Sequence, residues 1–420
     1  MQVPASEIDG TREGAPGPCL SDAMVSVGAA GRGGTGSFIS ADGLIITNHH
    51  VALDAVRSAS TVERDLLKDG FVSAGRESEV SCPGYEVWIT RCVEDVSARF
   101  TAALGEPDPL ARDAKVRDVQ QAVARDAEAT LKAQGPAGGA GGLRCEVQIM
   151  WPGKTYVLFT YERLRDVRLV YVPPLSLGNF GGDTDNFEWP RHTADFTLLR
   201  AYVGADGAAN EPSPGNVPYH PRRFLRANPA GVEEGAFVFL LGFPGSTMRY
   251  APSSRLRFSD AVAVPALAKD FGALRRGAIE STNNTTPAPT TFHRAPFIVA
   301  FSGEKLALLA AHGSDPETGG RATQLKLASA TKGLANEHKR SLGKRVMMRK
   351  LGLVAEREAE EAELVASDPA AAPVLATLAS VYDRLTELAP LSDALDAVQV
   401  STACYDDLRA GVRVTARLDV

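Results

Sequence analysis

Up to about residue 255, the chain alternates short apolar runs with turns rich in Gly, Pro and Asp. Alternation of this kind over about four to eight residues is typical of β-strands. The runs GSFIS and LIITN flank Ala41-Asp42-Gly43, and RCEVQIM and KTYVLFTY flank Trp151-Pro152-Gly153, so we expect two hairpins. The runs DVRLVYV, DFTLLRAYV and AFVFLLGF extend the series. Short strands at this spacing predict an antiparallel barrel.

Helical periodicity appears in two parts of the chain. Residues 108–133 combine helix-forming residues with apolar positions three and four apart, which predicts one helix within the β-rich part. Beyond residue 255, the stretches 322–365 and 370–400 are rich in Ala, Leu, Glu, Lys and Arg, and predict helices. The segment 281–301 fits neither pattern and is predicted to be a loop or an insertion. We therefore expect a β-rich domain over residues 1–255 and a helical domain over residues 256–420.

Composition and charge exclude several classes of protein. The 420 residues are 44% hydrophobic and 23% charged, which is ordinary for a globular protein, and the net charge of −6 argues against a nucleic-acid partner. No stretch reaches the roughly 18–20 apolar residues of a membrane span. The first residues, MQVPASEIDGTREG, lack the basic and apolar regions of a signal peptide, so we leave the localisation open between the cytoplasm and a missing N-terminal segment.

The cysteines do not predict a metal site. Their number is odd, and no two stand at C-x-x-C spacing, so we expect no zinc and no other cofactor. A bridge between Cys82 and Cys92 is left open. The five are Cys19, Cys82, Cys92, Cys145 and Cys404.

The most informative stretch is GTGSFISADGLIITNHHV, a predicted hairpin that ends in two histidines. Peptidases of the chymotrypsin fold place their general base just after such a strand, because a serine hydroxyl needs a base with a pKa near 7 beside it. In related motifs the catalytic histidine immediately precedes an apolar residue or a cysteine, which selects His50 over His49. The alternatives are polar residues at a strand end, or a two-histidine metal site that would need a third ligand nearby.

A carboxylate that could orient the histidine stands before a later strand. Asp195 precedes the apolar run FTLLRAYV, which matches the triad aspartate of this fold. Its expected task is to accept a hydrogen bond from imidazole Nδ1 and so fix the tautomer. Asp183 and Asp185 compete for this role, but they lie in a glycine-rich loop with no strand directly after them.

Four strings together resemble the bacterial dipeptidyl-peptidase 7 and dipeptidyl-peptidase 11 family. They are TNHHV, GFVSAGRESEVSCPGYEVWITRCVEDV, FGGDTDNFEWPRHTADFTLLRAYV and GFPGSTMRY, and the likeness runs over residues 22–255, with a weaker return around 325–365. The family implies a chymotrypsin-type (trypsin-like) double β-barrel with a helical domain inserted between the barrels. This chain would then hold the first barrel and part of the α-helical domain.

The family releases dipeptides from peptide substrates with a free N-terminus. By resemblance, Phe187 and Asn186, together with Asn336 of the string GLANEHK, are expected to bind the substrate ammonium group. Family members are often dimers, so a homodimer is an open expectation. They are also periplasmic or attached to the cell surface, which the first residues of this chain do not reflect.

The sequence departs from the family at the nucleophile and at a disulfide. Family members usually carry cysteines at the positions of Gly34 and Val51. We find no Gly-x-Ser-Gly turn, and Ser37, Ser246 and Ser302 stand in unsuitable contexts. The favoured function is a serine-type dipeptidyl peptidase whose chain is truncated before the serine, and we expect no peptidase activity from this chain alone. The alternative is an inactive pseudoenzyme, or peptide-binding fragment, of the same fold.

Overall fold

The computed structural model describes residues 18–29, 33–61, 63–133, 142–243, 251–266, 336 and 338–406. The chain divides into two compact units, and each is interrupted once in sequence. The first unit comprises Met1–Phe180 with His192–Ser246, and the second comprises Gly181–Arg191 with Thr247–Val420. The boundary expected at residue 255 stays a prediction.

The first unit is built on an antiparallel β-sheet, which confirms the strand-rich interpretation of this part of the chain. Its strands follow in chain order: β1 (Met24–Ala29), β2 (Gly34–Phe38), β3 (Leu44–Thr47), β4 (Phe71–Val72), β5 (Val80–Ser81), β6 (Tyr85–Asp95), β7 (Leu143–Trp151), β8 (Thr155–Leu164), β9 (Asp166–Val172), β10 (Thr197–Val203) and β11 (Val217–Pro218).

The strand order explains how distant segments meet. The sheet runs β4-β9-β10-β3-β2-β1-β6-β8-β7, with β11 paired to β10 and β5 paired to β9. Both predicted hairpins form, as β2–β3 and β7–β8, and Gly43 and Gly153 take φ values of +68° and +75° in their turns. Because β10 lies beside β3, Thr197 stands opposite Thr47 in the ladder.

Among its described residues, the first unit also contains five helices, with 3₁₀ turns at Leu20–Ala23, Arg76–Ser78 and Ser97–Phe100. The helices are α1 (His49–Ala59), α2 (Leu66–Asp69), α3 (Thr101–Leu104), α4 (Pro109–Ala133) and α5 (Leu175–Gly178). The predicted helix over 108–133 is therefore confirmed. Pro109 suits its first turn, where no partner is needed for the missing N–H, and Asp108 Oδ1 accepts from Ala111 N at 2.7 Å.

Two apolar clusters support this unit. Inward positions of the sheet, such as Val25, Ile45 and Leu199, are fully buried and alternate with more exposed neighbours, as the strand pattern predicted. The second cluster lies between α4 and the β7–β8 hairpin, where the Phe100 and Tyr156 rings stack at 3.9 Å. Burial of these apolar side chains therefore stabilises the sheet that carries the candidate site.

One predicted strand does not form. The run AFVFLLGF, residues 236–243, has no ladder partner among the described residues. Phe237 and Leu240 are 75% and 98% exposed. Its apolar pattern is that of a strand covered on both faces, but a strand also needs a neighbour for its backbone N–H and C=O groups. The prediction of a strand here is therefore wrong for the described chain.

The described part of the second unit is helical, apart from turns and the irregular residues 186–191. Its helices are α6 (Gly182–Asp185), α7 (Ser253–Phe258), α8 (338–350), α9 (Leu353–Ser367) and α10 (Ala371–Asp406), with a π-helical turn at Ser259–Ala263. Glu361 of α9 accepts from Ser253 N and Ser253 Oγ, both at 2.6 Å, at the start of α7. The helices predicted over 322–365 and 370–400 are confirmed from residue 338 onward, while 281–301 and 322–335 lie outside the described residues. Among the described residues of the whole chain, no helix is both long enough and apolar enough to cross a membrane.

Candidate active site

His50 lies where the chain leaves the sheet. Strand β3 ends at Thr47 and α1 begins at His49, so the imidazole of His50 stands in the first helical turn with its side chain 46% exposed. The turn is tied to β6, because the Tyr85 hydroxyl donates to Val51 O at 2.8 Å. Burial raises the pKa of Tyr85 and keeps this hydroxyl protonated as a donor. The histidine is therefore presented to solvent from a fixed backbone.

Asp195 meets His50 at the start of the neighbouring strand. It lies in a stretch without regular structure that leads into β10. His50 Nδ1 is 2.7 Å from Asp195 Oδ2, and His50 N donates to Asp195 Oδ1 at 3.0 Å. The Asp195 side chain is 16% exposed. The contact expected between these two residues is present, across 145 residues of sequence.

This pair can accept a proton at the other imidazole nitrogen. When Nδ1 carries a proton and donates to the carboxylate, Nε2 keeps its lone pair, and the carboxylate stabilises the imidazolium that forms. Within the described part of the chain, no hydroxyl or thiol is hydrogen-bonded to His50 Nε2. Ser37 is engaged elsewhere, with its Oγ 3.6 Å from Met24 Sδ. Ser246 and Ser302 lie outside the described residues.

His49 has a different environment from His50. It is fully buried, and its Nδ1 is 3.3 Å from Thr197 Oγ1, two residues beyond Asp195. Its ring packs against Gly178, where a Cβ would come within 2.5 Å of His49 Cδ2. His49 thus contacts Thr197 and Gly178, whereas His50 contacts Asp195.

The positions of the missing family disulfide are neighbours in space. A Cβ built on Gly34 would lie 2.5 Å from Val51 Cγ2 and 3.4 Å from Val51 Cβ. The valine side chain therefore fills the space that a bridge between β2 and α1 would occupy. The absence of a side chain at position 34 is what makes room for it.

The second unit brings two of the predicted ammonium-binding residues together. Asn186 Nδ2 donates to Asn336 Oδ1, although 150 residues separate them in sequence. Arg191 donates to Asn186 Oδ1 at 3.1 Å. Phe187 stands beside them with φ of +61°, a conformation that residues with side chains rarely adopt, and is 61% exposed. Its expected orientation toward His50 stays a prediction.

Three residues at these places were missed by sequence reasoning. Asn48 donates from Nδ2 to Asp195, Gly178 leaves room for His49, and Arg191 orients Asn186. An asparagine before a helix ordinarily reads as its cap, and no local pattern reveals a partner 147 residues away. Gly178 gives no signal in the sequence either, because the His49 ring that it accommodates is distant along the chain.

Asp183 and Asp185, considered as alternatives to Asp195, lie in or at the end of α6.

The described cysteines and acidic residues do not assemble into a metal site. No group of three or more His, Cys, Asp or Glu side chains has a suitable geometry within the described residues. Cys82 is a buried free thiol, so it forms no bridge with Cys92. Burial is the main cause that raises the pKa of the Cys82 thiol to about 12, which keeps it protonated.

Comparison with known proteins identifies relatives of this chain. Residues 16–292 match the sequence model of the family described as Peptidase S46. An Asp/Glu-specific dipeptidyl-peptidase of Shewanella putrefaciens is 38% identical over 238 residues, which cover 56% of this chain and 31% of that protein. Dipeptidyl-peptidase 7 of Porphyromonas gingivalis is 38% identical over 237 residues, covering 56% and 32%.

Solved structures match over most of this chain. The crystal structure of Porphyromonas endodontalis DPP11 in complex with the dipeptide Arg-Glu superposes with a TM-score of 0.71 and 26% identity, covering 93% of this chain and 50% of that chain. The complex with Arg-Asp gives a TM-score of 0.71 and 27% identity, over 95% and 51%. This chain thus spans about a third of the curated relatives and about half of these solved chains. The antiparallel sheet with helices is a fold that it shares with them.

Proposed function

Because this chain belongs to the peptidase S46 family, we propose that it forms part of a serine-type dipeptidyl peptidase, which releases dipeptides from the free N-termini of peptides. The observation that carries the proposal is the 2.7 Å contact between His50 Nδ1 and Asp195 Oδ2. The curated relatives named as dipeptidyl-peptidases, and the dipeptides bound to the DPP11 structures, support the substrate class.

His50 is the proposed general base and then the general acid. Its Nε2 takes the proton of a serine hydroxyl as that oxygen attacks the peptide carbonyl, and later gives the proton to the leaving amine. Water then hydrolyses the acyl-enzyme with the same histidine as base. Asp195 accepts from Nδ1 throughout and stabilises the imidazolium. The serine and the oxyanion donors are proposed to come from a second barrel, since these 420 residues contain no Gly-x-Ser-Gly turn.

We propose that the sheet is the first barrel of a chymotrypsin-type pair. Support comes from the order of the strands, in which β3 and β10 are neighbours and both lead into or out of the candidate catalytic residues. The helical second unit would correspond to part of the domain that is inserted between the barrels in the family. The domain bounds 1–255 and 256–420 remain part of this proposal.

The ammonium group of the substrate is proposed to bind at Asn186 and Asn336, with Phe187 as a wall beside it. An ammonium group needs oxygen acceptors, and the side-chain oxygens of two asparagines supply them. The donation from Arg191 to Asn186 Oδ1 leaves one lone pair of that oxygen for the substrate. Phe187 has a positive φ, and residues with side chains that adopt this strained conformation are found often at binding sites.

The second candidate is a peptide-binding protein without catalytic activity. It is favoured by one observation: among the described residues no hydroxyl or thiol is hydrogen-bonded to His50 Nε2. Such a protein would keep the ammonium site and bind dipeptides without cleaving them. A homodimer is compatible with either function.

The two candidates are separated by expressing the full reading frame that contains these 420 residues. We expect release of fluorogenic dipeptidyl amides with a free N-terminus, and no release from the same substrates after N-acetylation. His50→Ala should lower kcat by about four to six orders of magnitude, since triad members act as a unit. His220→Ala is the matched control, because His220 is an exposed histidine whose Nδ1 is 2.9 Å from Ala41 O.

A fluorophosphonate probe addresses the nucleophile separately. We expect the purified 420-residue chain to remain unlabelled and the product of the full reading frame to be labelled at one serine. Binding of dipeptides without release by that full product would favour the second candidate. Release that survives His50→Ala would contradict the assignment of the base.

A further inference from the structure

Asn48 occupies the N-cap position of α1 but does not cap it. The residue has extended backbone angles, φ −69° and ψ 146°, and its side chain makes no capping hydrogen bond. Asparagine is favoured at this position because its side-chain oxygen normally accepts from the first free N–H groups of the helix. Here Asn48 Nδ2 instead donates to Asp195 O at 3.1 Å and to Asp195 Oδ2 at 3.4 Å. The Asn48 side chain is thus directed at Asp195, two residues before β10 begins.

The Asp195 carboxylate is held by donors from two residues of the same turn. His50 N donates to Oδ1, while Oδ2 is shared by His50 Nδ1 and Asn48 Nδ2. Residues 191–196 have no regular structure, so no backbone ladder fixes the position of Asp195. The nearest backbone bond before it is from Ala194 N to Leu177 O, at 3.0 Å. The orientation of the carboxylate therefore depends on the donors that surround it.

We propose that Asn48 is a positioning residue for the His50–Asp195 pair. This inference rests on the proposed function and adds a residue to it. By binding both the backbone oxygen and Oδ2 of Asp195, the Asn48 amide fixes the carboxylate so that Oδ2 faces His50 Nδ1. The imidazole then holds its proton on Nδ1 and keeps Nε2 as the acceptor that a base requires.

The chemistry of the amide explains why other capping residues do not serve. A serine hydroxyl is too short to reach both Asp195 oxygens. An aspartate has no N–H to donate and would place a second negative charge beside the first. Both residues are as good at the N-cap as asparagine, so both leave the helix intact. Serine removes only the donor, whereas aspartate removes the donor and adds a charge.

The test observes the imidazole directly and needs no nucleophile. In the ¹⁵N-labelled 420-residue chain, His50 should show a low-field Nδ1 proton and the ¹⁵N shifts of the Nδ1–H tautomer, both assigned by their loss in His50→Ala. In Asn48→Ser, the His50 Nδ1 proton should exchange with water at least about tenfold faster, because the hydrogen bond from Asn48 that holds the charged Asp195 carboxylate is lost. A fraction of the Nε2–H tautomer should appear. Asn48→Gln, which keeps the amide, should restore part of the wild-type spectrum.

Controls separate a local effect from unfolding. Asn228→Ser removes another side-chain amide of the same unit, one that donates to Gly231 O at 2.6 Å, and should leave the His50 signals unchanged. Asn48→Asp replaces Asn48→Ser if the latter fails to fold, since it keeps a strong cap. An unchanged exchange rate and tautomer in a folded Asn48 variant would overturn this proposal alone. Absence of the Nδ1 signal in the wild-type chain would overturn the His50–Asp195 pair and the proposed function with it.

Discussion

We predict that a disulfide can be built into this chain at the two positions where, by the resemblance, family members usually carry cysteines. The change is the double substitution Gly34→Cys with Val51→Cys. A Cβ built on Gly34 would lie 3.4 Å from Val51 Cβ, close to the roughly 3.5–4.5 Å that disulfides require. Removing the valine side chain also clears the overlap that a Cβ at position 34 would otherwise meet. We therefore expect the bridge to form on mild oxidation.

The size of the effect follows from the loop that the bridge closes. A loop of this length, about 17 residues, lowers the entropy of the unfolded chain enough to stabilise the fold by about 3 kcal/mol. The oxidised and reduced forms of the same double variant should differ by about this free energy of unfolding. Because both forms carry the same two substitutions, the cost of replacing Gly34 and Val51 cancels in the comparison.

The assay is urea unfolding with and without a reducing agent, followed by the fluorescence of Trp88, which is 6% exposed. Thiol titration and the mass of peptides released without reduction establish whether the bridge is present. Each single variant is a control, since it cannot form the bridge within one chain. If the two introduced thiols, at positions 34 and 51, remain titratable after oxidation, the spatial adjacency of β2 and α1 is refuted. A bridge without added stability would refute the entropy estimate.

Two further changes test the packing around His49 and the buried phenols. Gly178→Ala should lower the free energy of unfolding by about 1–3 kcal/mol, because its methyl group would lie 2.5 Å from His49 Cδ2. Urea denaturation measures this loss of stability. The control is Gly105→Ala, whose methyl group would meet nothing closer than 3.6 Å, and equal free energies of unfolding for the two variants would contradict the prediction. Burial raises the pKa of Tyr219 from its ordinary value near 10 to about 12, so the folded chain favours the neutral phenol and stability should fall as pH rises from about 10 to about 12. Circular dichroism of the wild type and of Tyr219→Phe checks this, and the variant should lose less stability over that range.

The local part of the candidate site could be predicted from sequence, because each signal was a short pattern. The hairpin around Gly43 predicted where β3 ends, and the apolar residue after His50 favoured His50 over the buried His49 as the base. The strand after Asp195 marked that carboxylate among its competitors. The hairpin and the strand after Asp195 are each specified by neighbouring residues, and likeness to motifs of chymotrypsin-fold peptidases then selected His50 and Asp195.

The rest required contacts between distant segments. Asn48 reads as a cap, and only the pairing of β3 with β10 reveals that its amide reaches Asp195. The space at Gly178 is equally invisible without the ring of His49. The run AFVFLLGF was predicted as a strand from its apolar residues, but a pattern cannot supply the neighbour that a ladder needs.

The exposed run Phe237–Leu240 has a consequence for the chain in solution. Four consecutive apolar residues without charge, which have no strand partner among the described residues, have the composition of segments that stack into intermolecular cross-β structure. Encounter between two such segments is second order in protein, so self-association should rise with the square of the concentration at early times. The working concentration of the isolated chain is then limited by these few residues, however stable the sheet itself is.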